Sequence, residues 1–206
     1  MIPSGHPDEK TQRTFIRFMR KTIRQALAHN SPVLFLDPVH QVHNVDNGYC
    51  WCLQGERGTK TVLSNSGRQR LTIIGAINAM THQSTTLTTE GNCDGPMMAA
   101  FLAEIRRDYP KQKSVFVFLD NARYNHSKLV QAEAKRLRIR LLFLPPYSPN
   151  LNLIERLWKF MKKKVTANKY YKTFREFTNA IHDFFKDIGQ YQAELDSLMT
   201  MKFEIL

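Results

Sequence analysis

The sequence predicts an α/β domain: a mixed sheet, with antiparallel strands followed by parallel ones, flanked by helices. Three observations carry that expectation. Short apolar runs rich in β-branched and aromatic residues, at 33–36, 115–119 and 140–144, read as strands buried on both faces. One helical segment with short links joins the second run to the third, which is the crossover unit that makes two parallel neighbours. Ahead of them, runs at 71–78 and 83–89 are separated by a short polar link and read as an antiparallel hairpin.

Residues 1–6 read as a disordered start, and residues 1–30 as a unit dominated by one basic amphipathic helix. Asp8 and Glu9 suit its first turn. Phe15, Met19, Ile23, Ala26 and Leu27 recur at helical spacing, with Arg13, Arg17, Lys21 and Arg24 opposite. That basic face is either solvated or follows a phosphate backbone. Ser31-Pro32 ends the helix, and the first strand follows, closing on Asp37-Pro38; proline biases Asp37 toward extended geometry at a strand end. His40 and His43 read as loop residues, their spacing being weak evidence for a metal. A short strand is expected at 48–54 around Trp51, closed by a turn at 55–58.

Asp94 is expected to cap a helix through Met97, Phe101, Leu102 and Ile105 that stops before Pro110. The central strand ends on Asp120, and a helix at about 127–137 leads to the strand at 139–144. A Pro-rich turn, Pro145-Pro146-Tyr147-Ser148-Pro149, then introduces a helix at about 152–165 that buries Ile154, Leu157, Trp158, Met161 and Val165 and carries Glu155 near its start. Another amphipathic helix, at 173–188, turns Phe177, Ile181, Phe184 and Phe185 inward. Residues 190–206 form a tail without a clear pattern, so the core domain is placed at 31–189.

With 206 residues and 42% hydrophobic content, the chain has enough material for one sizeable core. A formal charge of +12 and a pI near 9.8 are unusual for an enzyme of small substrates and favour a polyanionic partner such as nucleic acid. Cys50, Cys52 and Cys93 lack zinc-like or secreted spacing, which points to a reducing, cytosolic setting. No signal peptide and no run of the roughly 20 apolar residues that a membrane helix needs is visible.

The chemistry-bearing pattern is two strand-end aspartates and one helix-borne glutamate: Asp37, Asp120 and Glu155. A lone acid after four apolar residues is costly to bury unless paired or holding a cation. Three converging carboxylates suit hard divalent ions, and two Mg²⁺ ions about 4 Å apart would clamp the attacking and leaving oxygens of a phosphodiester. Each acid alone has a plainer explanation as a strand-end cap or a first-turn acid. Their joint occurrence, with 34 residues between Asp120 and Glu155, is harder to treat as incidental. From Arg156 to Arg175 the chain holds eight Lys or Arg and no acid. Arg156, Lys159, Lys162, Lys163 and Lys164 are candidate phosphate contacts, the alternative being a solvated face.

The segments Leu119-Asp120-Asn121-Ala122, Leu144-Pro145-Pro146-Tyr147-Ser148-Pro149-Asn150-Leu151-Asn152 and Ile154-Glu155-Arg156-Leu157-Trp158-Lys159 resemble the catalytic signature of the mariner superfamily of transposases, in its bacterial insertion-sequence branch. The resemblance covers about residues 30–185. It implies a ribonuclease-H-like fold, with Asp37, Asp120 and Glu155 as catalytic residues and ligands of Mg²⁺ or Mn²⁺. It further implies double-stranded DNA, transposon ends and target, as substrate: water cleaves the element's ends, and the freed 3′-hydroxyl attacks target DNA. A homodimer in the bacterial cytoplasm, associated with the nucleoid, is the expected setting. Asn121 and His126 are expected beside the triad, Asn121 shaping the strand end and His126 either capping the following helix or touching substrate. The pattern departs from the family's at Pro38, where Glu is usual after the first Asp, and at Asn125-His126, where the usual His is shifted by one. Helix-turn-helix units usually precede this domain and one helix in 30 residues does not supply them; the chain is then the downstream product of a split reading frame, with a separately encoded or frameshift-fused unit as partner, or a decayed copy, or a fragment. The alternatives are an inactive DNA-binding or dimerisation remnant and a nuclease acting on RNA in a hybrid.

Overall fold

The computed structural model describes residues 8–45 and 63–205; the expected start at 1–6, the strand at 48–54 with Trp51, Cys50 and Cys52, and the turn at 55–58 lie outside the described residues. Five strands, β1 (Val33–Val42), β2 (Arg70–Asn78), β3 (Ser84–Thr89), β4 (Val115–Leu119) and β5 (Ile139–Phe143), form one sheet in the order β3-β2-β1-β4-β5. Pairing is antiparallel from β1 to β3 and parallel across β1, β4 and β5; the hairpin pattern predicts the β2–β3 pairing and the crossover pattern the β4–β5 pairing. The residues that cover the sheet come from α1 (Glu9–Ala28), α2 (Gly95–Asp108), α3 (Lys128–Arg136), α4 (Ile154–Met161), α5 (Phe174–Lys186) and α6 (Gln192–Leu198).

Local chemistry sets the helix starts. Asp8 accepts hydrogen bonds from the backbone of Lys10 and Thr11, Asp94 from Met97, and Ser127 from Val130. Thr173 and Glu176 form a reciprocal capping box on α5. Strand alternation then divides the core in two. Leu34, Leu36, Ile74, Ala76, Val115, Val117 and Leu119 face α2 and α3, whereas Val33, Phe35, Leu71, Ile73, Ile77 and Phe118 face α1, α4 and α5.

Several expectations need correction. The first strand does not close on Asp37 but runs on to Val42. Its antiparallel ladder with β2 extends from Leu34↔Asn78 to Val42↔Arg70, while its parallel ladder with β4 ends at Phe35↔Phe118. Pro38 cannot donate to a ladder, and it falls where β1 has already lost its neighbour on the β4 side. His40 is therefore a strand residue, with Nδ1 2.9 Å from Thr72 Oγ1. His43 is buried rather than in an open loop, its Nε2 2.9 Å from the Tyr171 carbonyl and its ring against Phe174 and Phe177.

On α1 the inward stripe is Gln12, Ile16, Met19, Ile23 and Ala26. Leu27, one step (about 100°) round from Ala26, is 48% exposed. The helix bearing Glu155 starts at Ile154, so Glu155 is its second residue, and its last turn widens into a π-helical segment, Lys162–Thr166. Residues beyond 190 are not patternless: α6 buries Leu195, and Met199, Met201, Phe203 and Ile205 pack on the core. Among the described residues no helix is long and apolar enough to cross a membrane.

Candidate active site

Register brings the two aspartates together. Phe35 and Phe118 are partners in the parallel β1–β4 pairing, and their rings stack at 5.1 Å. Asp37 and Asp120 each lie two residues further along, so both point to the face on which the two phenylalanines sit. That is the face α4 covers. Asp37 is paired with Gly75 on β2, and a Cβ at Gly75 would stand 2.4 Å from Trp158 Cη2 and 3.3 Å from Ile154 Cδ1. The missing side chain lets α4 lie flat on the sheet, and Glu155, between Ile154 and Trp158 in sequence, is carried to the same place. Asp37, Asp120 and Glu155 line one open cleft of about 460 Å³, together with Asn121, Asn152 and Tyr147.

The electrostatics agree with this placement. Burial pushes the Asp37 carboxyl up to about 8, and the charges of Glu155 and then Asp120 add to it. The Trp158 indole acts in the opposite sense, and among the described residues its buried Nε1 has no other partner. Burial also raises Glu155, against the pull of Lys159 and Lys162. The repulsion is felt at Asp37, the more deeply set of the two. An all-oxygen donor set whose charges oppose one another fits a hard divalent cation. It is a donor set and not a finished cage: among the described residues no three His, Cys, Asp or Glu side chains are close enough to enclose an ion.

The surrounding residues take definite tasks. Asn121 Nδ2 donates to the Leu144 carbonyl at 2.5 Å, tying the end of β4 to the Pro-rich turn. His126 is exposed and stacks on Phe143 at 4.1 Å, while Ser127 caps the next helix. Asn125, which the sequence reading did not place at the site, is fully buried; its Nδ2 donates to Asp120 Oδ1 at 2.9 Å. Gln131 Nε2 in turn donates to the Asn125 carbonyl at 2.7 Å. A polar residue five positions after a strand-end acid, in a 3-10 turn, was the available signal. Gln12 was read past for the same reason: buried on α1, its Nε2 donates to Ser148 Oγ at 3.2 Å, and its Oε1 accepts from Asn150 at 3.2 Å, which anchors the turn.

Of the five candidate phosphate contacts, Lys159 and Lys163 are exposed and Lys162 is half-exposed. Lys164 lies 4.8 Å from the Tyr191 ring centroid and 3.4 Å from a Glu194 carboxylate oxygen. Arg156 turns inward, donating to the carbonyls of Leu198 (2.9 Å), Thr200 (2.6 Å) and Lys202 (2.5 Å), with its guanidinium over Phe203. Arg156→Ala is expected to release this C-terminal strap from α4 and to cost about 2 kcal/mol. Limited proteolysis checks it: cleavage after Lys202 should quicken in the variant, and an unchanged digestion rate would show that the strap holds without Arg156.

A family profile described as DDE superfamily endonuclease matches residues 32–178. The insertion element IS630 uncharacterized 39 kDa protein of Shigella sonnei is 22% identical over 191 residues, covering 92% of this chain and 53% of that protein. An uncharacterized protein, y4pE/y4sA, of Sinorhizobium fredii is 33% identical over 82 residues, 40% of this chain and 58% of its own. The chain thus spans a little over half the length of the first of these relatives. Among solved structures, the mariner Mos1 paired-end complex with Mg superposes with a TM-score of 0.72 at 15% identity, covering 98% of this chain and 62% of that one. The catalytic domain of Mos1 mariner transposase gives 0.63 at 12% identity, covering 98% and 94%. At such identities the likeness is one of fold: the sheet and its helices match the ribonuclease-H-like catalytic domain.

Proposed function

Given that the chain belongs to the DDE superfamily of endonucleases, we propose that it is the catalytic domain of an insertion-element transposase, cutting double-stranded DNA at the element's ends and joining the freed ends to target DNA. The observation that carries this reading is the meeting of Asp37, Asp120 and Glu155 in one cleft, the aspartates by strand register and the glutamate by the seating of α4. The IS630 name of a relative and the paired-end complex of Mos1 transposase with the left transposon end support the choice of substrate.

The three carboxylates would hold Mg²⁺ or Mn²⁺, two ions in the reading favoured here. When bound, such ions activate the attacking water or 3′-hydroxyl and neutralise charge on the phosphodiester. Asn125 holds Asp120 through Oδ1. Gln12 and Asn121 keep the Pro-rich turn against the cleft, and Lys159 and Lys162 offset the acidic charge near Glu155. Two copies of the chain, each handling one end, and a helix-turn-helix unit for end recognition complete the proposal.

The test uses the full chain with Mn²⁺ and duplex DNA carrying the element's ends. Nicking is expected from the wild type and is expected to vanish on chelation and in Asp120→Asn, with low-salt DNA binding kept in the variant. Nicking of equal rate in both proteins would refute the site. Binding without nicking in the wild type would return the reading of an inactive remnant.

A further inference from the structure

A broad groove of about 1270 Å³ runs between α1 and β5, at the outer edge of the sheet and away from the carboxylates. Its lining includes Lys113, Lys135, Arg138 and Arg140, and it holds no acid. All four cations are exposed, and none forms an ion pair among the described residues. Their positions are built rather than incidental. Arg138 sits at the turn into β5 with a positive φ of 54°, its carbonyl accepting from Arg106 Nη2 at 3.1 Å. Arg140 lies over the ring of its β4 partner Phe116 at 5.3 Å, which holds its guanidinium across the sheet face that the groove exposes.

Four like charges along one groove repel each other unless a polyanion lies between them. The groove also leads somewhere: Leu142 lines it, and Leu144, two residues on in the same chain direction, lines the catalytic cleft. We propose that this groove is a second DNA-contact surface, along which the phosphate backbone of a duplex engaged at the catalytic cleft continues over the α1–β5 seam. The assignment rests on the DNA-cutting reading above. Two of the groove's other polar side chains, exposed Gln25 and half-buried Ser114, suit hydrogen bonds to phosphate oxygens and carry no base-reading pattern. Contacts of this kind are independent of sequence and are released by salt.

The experiment is a salt titration of the full chain binding a labelled random-sequence duplex long enough to span the domain. Lys135→Gln combined with Arg140→Gln is compared with the wild type and with Lys186→Gln combined with Lys202→Gln, which removes the same charge from exposed positions outside the groove. The groove variant is expected to flatten the slope of log affinity against log salt by about 1.8, at about 0.9 per lost phosphate contact. The control pair should leave the slope near the wild-type value, and matched melting curves confirm that both variants are folded. Equal slopes in all three proteins, or equal losses in both variants, overturn the groove. A wild type that shows no salt-dependent binding overturns the DNA-cutting reading itself, which separates the two failures.

Discussion

Asp37→Asn is expected to abolish nicking and at the same time to make the metal-free protein more stable at pH 8. The folded state raises the Asp37 carboxyl from 3.8 to about 8, chiefly through burial and the neighbouring Glu155 and Asp120 charges. Between those values the unfolded chain has lost the proton and the folded chain keeps it. Folding therefore favours protonation, and stability falls as pH rises from about 4 to about 8, by up to about 1.4 kcal/mol per pH unit. Asparagine removes the ionisation and keeps the shape. In a cleft open to water the gain at pH 8 should be on the order of 2–3 kcal/mol, or roughly 5–10 °C in melting temperature. Melting curves in chelator at pH 5 and pH 8 check this. The wild type should lose stability between them, the variant should lose clearly less, since only the raised Glu155 remains, and Mg²⁺ should restore the wild type more than the variant. A variant that melts below the wild type at pH 8 would remove the electrostatic account of the cleft.

Gly75→Ala should be nearly as damaging without touching a carboxylate. The new Cβ would stand 2.4 Å from Trp158 Cη2 and 2.9 Å from Cζ2, and Trp158 is 2% exposed, so the indole cannot swing aside into solvent. The helix must lift off the sheet, at about 1–3 kcal/mol, and Glu155 moves with it. A misplacement of about 1 Å at a reacting centre can lower the rate on the order of 100-fold. Single-turnover nicking should fall far more than DNA binding does. Trp158→Phe in the same chain shortens the ring and should recover part of both stability and rate; no recovery would mean that the damage lies elsewhere than in the seating of α4.

The parts of the fold set by local pattern were legible in the sequence. The two apolar runs ending in Asp37 and Asp120, the crossover between β4 and β5, and the cap at Asp94 all follow from nearest-neighbour chemistry. What was hidden depends on partners distant in sequence. β1 runs past Pro38 because β2, some 30 residues later, keeps pairing with it. His43 is buried by Phe174 and Phe177, more than 100 residues away. Arg156 sits in a basic stretch that reads as a phosphate contact, yet three backbone carbonyls of the C-terminal strap claim it. Gly75 looks like any strand glycine until Trp158 is laid over it. Asn125 shows its task only once the 3-10 turn folds it back under Asp120.

The pairing of Phe35 with Phe118 also dictates which length changes the gene can survive. Insertions or deletions of whole codons between β3 and α2, or around the turn before β4, leave both acids on the same side. Loss of a single codon within 33–36 or 115–119 would invert the alternation beyond it and swing one aspartate to the α2–α3 side of the sheet. A chain carrying such a deletion should lose the cleft that the two aspartates share.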